Sequence, residues 1–320
     1  MSWKVLVSAP YMLPVIEEYR AQLEAHHIEL VVYPVHERMS EEELLPLIGD
    51  IDGIIAGDDA FTERVLRAGK RLKVISKWGT GIDSFDLEAA ERLGIAVRNT
   101  PGAFNDPVAD QVWGYMLAFA RQIPWIAQEM HSGAWEKRPC ISLTGCMLGV
   151  IGVGRVGKAV VQRARGFGMC LLGNDLVEMP SDFLAETGVT MVDQETLLRE
   201  SDFVSLNCDL NPTSYHIMGA AEFALMKPSA YLINTARGPL VDELALIAAL
   251  QQGQIAGAGL DVFEDEPLPV DSPLRKMDNV LLSPHNANSS PEHWRRVHES
   301  TIANLLEELY CREGLQGERV

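Results

Sequence analysis

The segment that most constrains the fold is Gly152-Val153-Gly154-Arg155-Val156-Gly157, which directly follows the apolar run Met147 to Ile151 and directly precedes the helical run Lys158 to Arg165. A lone G-x-G-x-x-G is weak evidence, but between a strand and a helix each glycine has a job. Gly152 permits the tight turn, Gly154 lets backbone approach a pyrophosphate, and Gly157 lets helix and strand pack closely. The N-terminus of the helix that follows, with Arg155 and Val156 in the loop before it, attracts the phosphate charge. Asp175 closes the next apolar run, Met169 to Gly173. A carboxylate there would accept hydrogen bonds from ribose hydroxyls and repel a 2′-phosphate, which points to NAD rather than NADP. The competing reading is a glycine turn and a surface Asp in some other α/β protein.

Around this loop, short apolar runs alternate with amphipathic stretches. Val5 to Ser8, Leu30 to Tyr33, Gly53 to Ala56, Val74 to Lys77 and Ala96 to Asn99 read as strands. Pro14 to His26, Glu41 to Ile48, Thr62 to Ala68 and Asp86 to Leu93 read as helices, the second opened by a Ser40/Glu43 capping box. A long helix is expected from Asp106 to Gln122, ended by Pro124, followed by a polar connector around His131 to Pro139. Beyond the glycine loop, strands are expected at Phe203 to Leu206, Tyr231 to Asn234, Gly257 to Asp261 and Val280 to Leu282, giving a second sheet of six strands with Met147 to Ile151 and Met169 to Gly173. Such βα alternation predicts an α/β fold with parallel sheets. An amphipathic segment from Pro291 to Leu309 comes after that sheet is complete and is expected to pack on the first domain. The boundaries fall near 100 and 288.

Composition narrows the function. The chain has 320 residues, 47% of them apolar and 22% charged, which suits a folded enzyme-sized chain of two domains. Its net charge of −18 argues against a nucleic-acid surface. Five cysteines without a C-x-x-C pair or a His cluster fit neither a disulfide framework nor a metal site, so no metal is expected. The strand-like start and the lack of a long apolar run predict a reducing cytoplasm and no membrane partner.

In open α/β sheets, ligands sit beyond the carboxyl ends of the strands. Arg237, Glu266 and His285 each follow one of the last three strands. Arg237 offers a planar charged fork that can hold the carboxylate and carbonyl oxygens of a 2-oxo acid. His285 can give a proton to the carbonyl oxygen as hydride arrives, or take it back from the alcohol. Glu266 can bond the other imidazole nitrogen and favour the protonated ring. A single residue of this kind is more often a solvated loop residue. Three of suitable chemistry on successive strand ends favour a catalytic set.

With Gly-Val-Ile-Gly-Val-Gly-Arg-Val-Gly at 149 to 157, Asn-Thr-Ala-Arg-Gly-Pro-Leu-Val-Asp at 234 to 242, Leu-Asp-Val-Phe-Glu-Asp-Glu-Pro at 260 to 267 and Ser-Pro-His at 283 to 285, the chain resembles the D-2-hydroxyacid dehydrogenases, in particular their short phosphoglycerate dehydrogenase-like branch. The resemblance implies two Rossmann-like domains: a flavodoxin-like substrate domain of residues 1–100 and 289–320, and an NAD-binding domain of residues 101–288. It implies a cleft between them, with Arg237, Glu266 and His285 in the roles above, and Asp261, Thr235, Ala236 and Cys208 lining the nicotinamide half. Gly79-Thr80-Gly81 resembles the loop whose amides hold the substrate carboxylate, although by chemistry alone that turn is as easily structural. Lys77 matches a position that is basic in some of those enzymes, and Trp78 beside it would narrow the pocket. The helix Asp106 to Gln122 with Trp125, Met130 and Trp135 implies a two-fold dimer.

Several positions depart from the family pattern. Gly57-Asp58-Asp59 stands where phosphoglycerate dehydrogenases usually carry an Arg-Ser pair, and two carboxylates are a poor setting for a phosphate. Asp110 replaces a usual Glu, and Asn286-Ala287-Asn288 follows the histidine where smaller residues are common; either could reshape the cleft. The expected activity is hydride transfer between NAD and a small D-2-hydroxy acid, 3-phosphoglycerate included. The alternatives are a dinucleotide-sensing, co-repressor-like interaction protein and a formate or phosphite dehydrogenase sibling.

Overall fold

Runs that are apolar on both faces need cover on both faces, and the computed structural model, which describes residues 2–312, provides it with two parallel sheets. The first sheet contains β1 (Trp3–Val7), β2 (Ile28–Val32), β3 (Gly53–Ala56), β4 (Val74–Lys77) and β5 (Ala96–Arg98), in the order β2-β1-β3-β4-β5. The second contains β6 (Met147–Ile151), β7 (Cys170–Asn174), β8 (Thr190–Met191), β9 (Phe203–Leu206), β10 (Tyr231–Asn234), β11 (Gly257–Leu260) and β12 (Val280–Leu282), in the order β12-β11-β10-β9-β6-β7-β8. Six strands were expected in the second sheet and seven are present. The additional one, β8, has only two residues, too few for any period to show. The chain divides into two compact units, one running from residue 2 to Phe104 and resuming at Ser290, the other Asn105–Ser289.

In the first unit, Leu6, Ile54 and Ile75 face a core with Leu44, Phe61 and Val65. The opposite face is covered by the helix Pro291–Arg312. A side chain at Gly53 would lie 2.8 Å from Leu305 Cδ1, so the glycine lets this helix approach the sheet. Ser76 Oγ donates to Thr301 C=O at 2.8 Å and Asn304 Nδ2 to Asn99 C=O at 3.1 Å, fixing its register. Full burial of Val297, Ile302 and Leu305 contributes about 1.5–3 kcal/mol each. The capping box opens Glu41–Leu44, with Ser40 N–H donating to Glu43 Oε2 at 2.8 Å.

In the second unit, the helix Asn105–Arg121 lies on the sheet at Gly259, where a Cβ would be 2.7 Å from the Tyr115 ring. Tyr115 OH donates to Leu260 C=O at 3.0 Å. The polar connector that follows is non-helical beyond His131, as expected, but an additional helix precedes it. Gln122 takes a left-handed conformation (φ +54°) and a second helix, Ile123–His131, begins with Pro124 in its first turn. Proline needs no N–H partner there, so the residue read as a stop ends one helix by starting another. Asp110 pairs with Arg163 Nε at 2.8 Å beside Asp106 and ties two helices together. No helix among the described residues is long and apolar enough to cross a membrane.

Candidate active site

The order of the second sheet reverses at β6, which has β9 on one side and β7 on the other. Loops leaving neighbouring strands at such a switch point diverge and leave a crevice. The glycine loop leaves β6 there. Gly152 has φ +86°, and a Cβ on it would lie 2.4 Å from the Cys208 amide nitrogen, so close approach of the loop after β9 requires glycine. A Cβ on Gly157 would lie 2.0 Å from Gly152 C=O, whereas one on Gly154 would meet nothing within 4 Å. The helix Arg155–Ala164 starts without a side-chain cap. Its first-turn N–H groups, beside the open and exposed Gly154 and Arg155, suit a dinucleotide pyrophosphate. Val156 is half-buried behind them.

Asp175 follows β7. Its carboxylate accepts from Val153 N–H at 2.6 Å and Val177 N–H at 2.9 Å, which ties it to the glycine loop. A carboxylate has about four acceptor sites, so ribose hydroxyls can still be accommodated. Cys208 follows β9, and burial pushes its thiol up to about 11, so it presents a neutral, weakly polar wall. Thr235 and Asn207 continue the paired strands β10 and β9, and Thr235 Oγ1 and Asn207 Oδ1 are buried with no partner among the described residues. Such orphaned atoms at the carboxyl edge fit a polar cofactor group. Asn207 was missed in the sequence because an Asn after a strand also reads as an ordinary turn residue. Ala236 N–H donates to Asn234 Oδ1 at 3.1 Å, so the main chain that follows β10 is fixed.

Glu266 and His285 come together, with His285 Nδ1 to Glu266 Oε2 at 2.9 Å. Glu266 Oε1 accepts from Phe263 N–H at 2.9 Å, which sets the carboxylate plane. Burial alone would raise the Glu266 pKa, but the bond and charge of His285, the Phe263 amide and the Arg237 charge together hold it below the ordinary carboxylate range. Arg237 therefore belongs to the same electrostatic group. Arg237 Nη1 donates to Ala236 C=O at 2.8 Å, and its own carbonyl accepts from Asn234 Nδ2 at 2.8 Å. His285 sits in the left-handed region, φ +50°, an uncommon conformation for a residue with a side chain.

That conformation is held by Asp261. Asp261, which follows β11, is fully buried, and its carboxylate bonds the loop that carries His285. It accepts from Asn286 N–H and Ala287 N–H, each at 2.8 Å, and from Ser283 Oγ, while its carbonyl accepts from His285 N–H at 2.7 Å. Tyr115 OH meets Ser283 Oγ at 2.6 Å and extends the network to a helix. Asn286 and Ala287 thus contribute their amides.

The candidate substrate residues lie in the first unit. Gly79 has φ +111°, Thr100 N–H donates to its carbonyl at 2.9 Å, and Thr80 Oγ1 donates to Thr100 C=O at 3.2 Å. Gly81 is half-buried. Lys77 is 4% exposed and its ammonium is engaged by Trp78 C=O at 2.7 Å and Asp58 Oδ1 at 3.3 Å. Trp78 is 3% exposed, donates Nε1–H to His298 Nδ1 at 2.8 Å, and packs against Tyr11, Phe104 and Trp294. Both are more enclosed than the sequence suggested. The two carboxylates of the 57–59 segment also part company: Asp59 is fully buried and accepts from Ser8 Oγ at 2.6 Å, Met39 N–H at 2.7 Å and Gly57 N–H at 3.1 Å, and burial raises its pKa. Asp59 shapes the loop, and Asp58 pairs with the lysine.

Comparison with known proteins gives a consistent answer. Residues 113–287 match the family model described as "D-isomer specific 2-hydroxyacid dehydrogenase, NAD binding domain". The chain is 39% identical over 287 residues to a glyoxylate reductase of Korarchaeum cryptofilum, covering 88% of this chain and 86% of that protein. It is 42% identical over 258 residues to a D-3-phosphoglycerate dehydrogenase of Methanocaldococcus jannaschii, covering 79% of this chain but only 49% of that longer protein. Among solved structures, D-lactate dehydrogenase from Aquifex aeolicus complexed with NAD and lactic acid superposes with a TM-score of 0.87 at 28% identity, covering 98% of this chain and 96% of that one.

Proposed function

This chain belongs to the D-isomer specific 2-hydroxyacid dehydrogenase family and is an NAD-dependent oxidoreductase, and we propose that Arg237, Glu266 and His285 interconvert a small, unphosphorylated 2-oxo acid and its D-2-hydroxy acid. The single observation that carries this reading is the Glu266–His285 contact at 2.9 Å under the charge of Arg237. With Nδ1 engaged by Glu266, Nε2 is the imidazole nitrogen that exchanges a proton with the substrate oxygen. Glu266, ionised through neutral pH, favours the protonated ring that reduction needs and fixes its orientation. Arg237 holds the carboxylate and carbonyl oxygens in one plane and offsets the charge that grows on the carbonyl.

When bound, NAD supplies the hydride acceptor, and NADH the donor. Gly152, Gly154, Arg155, Val156 and Gly157 would hold its pyrophosphate, Asp175 its adenosine ribose, and Cys208, Thr235 and Ala236 its nicotinamide half. Residues 101–288 would form the cofactor domain. Residues 1–100 with 289–320, of which Met1 and 313–320 lie outside the described residues, would form the substrate domain, whose Gly79-Thr80-Gly81 amides, Lys77 and Trp78 would contribute substrate contacts. Engagement of the Lys77 ammonium by Asp58 and Trp78 C=O supports a glyoxylate or hydroxypyruvate class substrate over 3-phosphoglycerate, since a phosphate would need an uncompensated cation. The helix Ile123–His131 buries none of its residues, and Ile123 and Met130, with Trp135 just beyond, are exposed, which supports a second copy of the chain as their cover. Sedimentation equilibrium at micromolar concentration tests that dimer; a monomer sinks it.

For the reaction, NADH absorbance is followed against glyoxylate, hydroxypyruvate, pyruvate and phosphorylated 2-oxo acids. Turnover of the short unphosphorylated acids is expected. NADH binding without turnover of any 2-oxo acid overturns the proposal.

A further inference from the structure

The chain holds a second His–Glu pair that the reaction as described does not use. His216, in the loop after β9, meets Glu264 Oε1 through its Nε2, and Glu264 is two residues before Glu266. We propose that His216 and Glu264 form a brace that positions Arg237 and Glu266 relative to one another; the proposal rests on the catalytic reading of those two residues.

Three segments meet at the brace. His216 N–H donates to Pro239 C=O at 2.9 Å, Met218 N–H to Leu240 C=O at 3.1 Å, and Asp242 N–H to Met218 C=O at 3.0 Å. The 216–218 segment is therefore laced to the main chain that immediately follows Arg237. That same stretch is pressed against the 263–264 main chain: a Cβ on Gly238 would lie 1.8 Å from Phe263 C=O and 2.6 Å from Glu264 N. Side chains then close the ring. The His216 imidazole reaches Glu264, and Phe263 N–H donates to Glu266 at 2.9 Å, so what fixes residues 263–264 also fixes the catalytic carboxylate.

The imidazole is itself held in place. His216 has φ +51°, and the Tyr215 ring stacks on it at 4.0 Å between centroids with an 18° tilt. Glu264 is in acidic company, because its amide donates to Glu243 Oε2 at 3.4 Å and both it and Asp265 act on Glu243. The His216 ring gives the Glu264 carboxylate a hydrogen-bond partner in this acidic setting, and removing it frees residues 263–266 to shift relative to 237–240. Reaction rates are sensitive to such displacements, since about 1 Å of misplacement can cost up to about a hundredfold.

The test uses the full chain with His216→Ala and His216→Gln, the Gln amide being able to donate from nearly the same point as Nε2. Three quantities are measured: steady-state reduction of the best 2-oxo acid, NADH affinity by fluorescence, and hydrogen exchange of the 238–241 and 263–266 amides. His216→Ala is expected to lower kcat/KM for the oxo acid by about 10- to 100-fold through both KM and kcat. NADH affinity should be unchanged and exchange faster in both segments, with His216→Gln recovering most of the loss and the protection. Unchanged kcat/KM and protection in the Ala variant overturn the brace. So does a parallel loss of NADH affinity, thermal stability and turnover that Gln does not rescue. Absence of turnover in the unaltered chain sinks the dehydrogenase reading instead, and the exchange measurement then decides the brace alone.

Discussion

At the scale of single residues, chemistry and place are separate questions. Arg237 could be singled out in the sequence as a candidate carboxylate holder because no other side chain presents a planar charged fork. Arg237→Lys keeps the charge and loses the fork, and a charge-assisted hydrogen bond is worth about 1.5–3 kcal/mol, so kcat/KM for the oxo acid should fall about 10- to 100-fold while NADH affinity stays constant. Stopped-flow titration separates the two. Glu266 supplies a pH argument with a definite sign. Its folded pKa lies below the ordinary carboxylate range, so the stability it contributes is complete above its unfolded pKa and is lost as pH falls through the depressed folded value. The difference in Tm between the unaltered chain and Glu266→Gln should therefore be largest near neutrality and close in acid. Calorimetry showing the gap widen in acid would contradict this assignment. Asp261 shows the limit of reading residue by residue: the sequence shows an acid at a strand end, and only the structure shows its four bonds to the 283–287 loop, which support the left-handed His285.

At the scale of elements, most strands could be placed because a strand buried on both faces is an uninterrupted apolar run, as in Gly53–Ala56, Met147–Ile151 and Gly257–Leu260. What escaped was set by contact rather than pattern. The strand Thr190–Met191 exists because β7 offers it a free edge, and the helix Ile123–His131 was hidden by a proline that its first turn tolerates. The glycine loop shows why spacing alone underdetermines an element. Gly157 was assigned to helix–strand packing, and the distances specify the obstacle as Gly152 C=O, 2.0 Å from an added Cβ. Gly157→Ala must displace the loop, with a cost of about 1–3 kcal/mol for overpacking and loss of NADH binding. An alanine variant that binds NADH as tightly as the parent would show that the loop does not carry the cofactor.

For the whole molecule, the net charge of −18 sets a background against which an anionic cofactor and substrate must be drawn in. The screening length shrinks from about 30 Å at 0.01 M salt to about 8 Å at 0.15 M, which removes long-range repulsion before it removes contacts with Arg237. The NADH association rate should therefore rise over that range; a fall would mean that local cations dominate the approach. The sequence sufficed for the α/β class, the parallel sheets, the place of the glycine loop between strand and helix and the chemical identity of Arg237, Glu266 and His285, because these depend on local period, spacing and functional groups. Tertiary structure alone decided that Asp261 bonds the loop carrying His285, that Lys77 is engaged by Asp58 and that His216 meets Glu264. Each of those outcomes is a pairing between residues distant in sequence. Which charged or polar group finds which partner depends on where the backbone carries both.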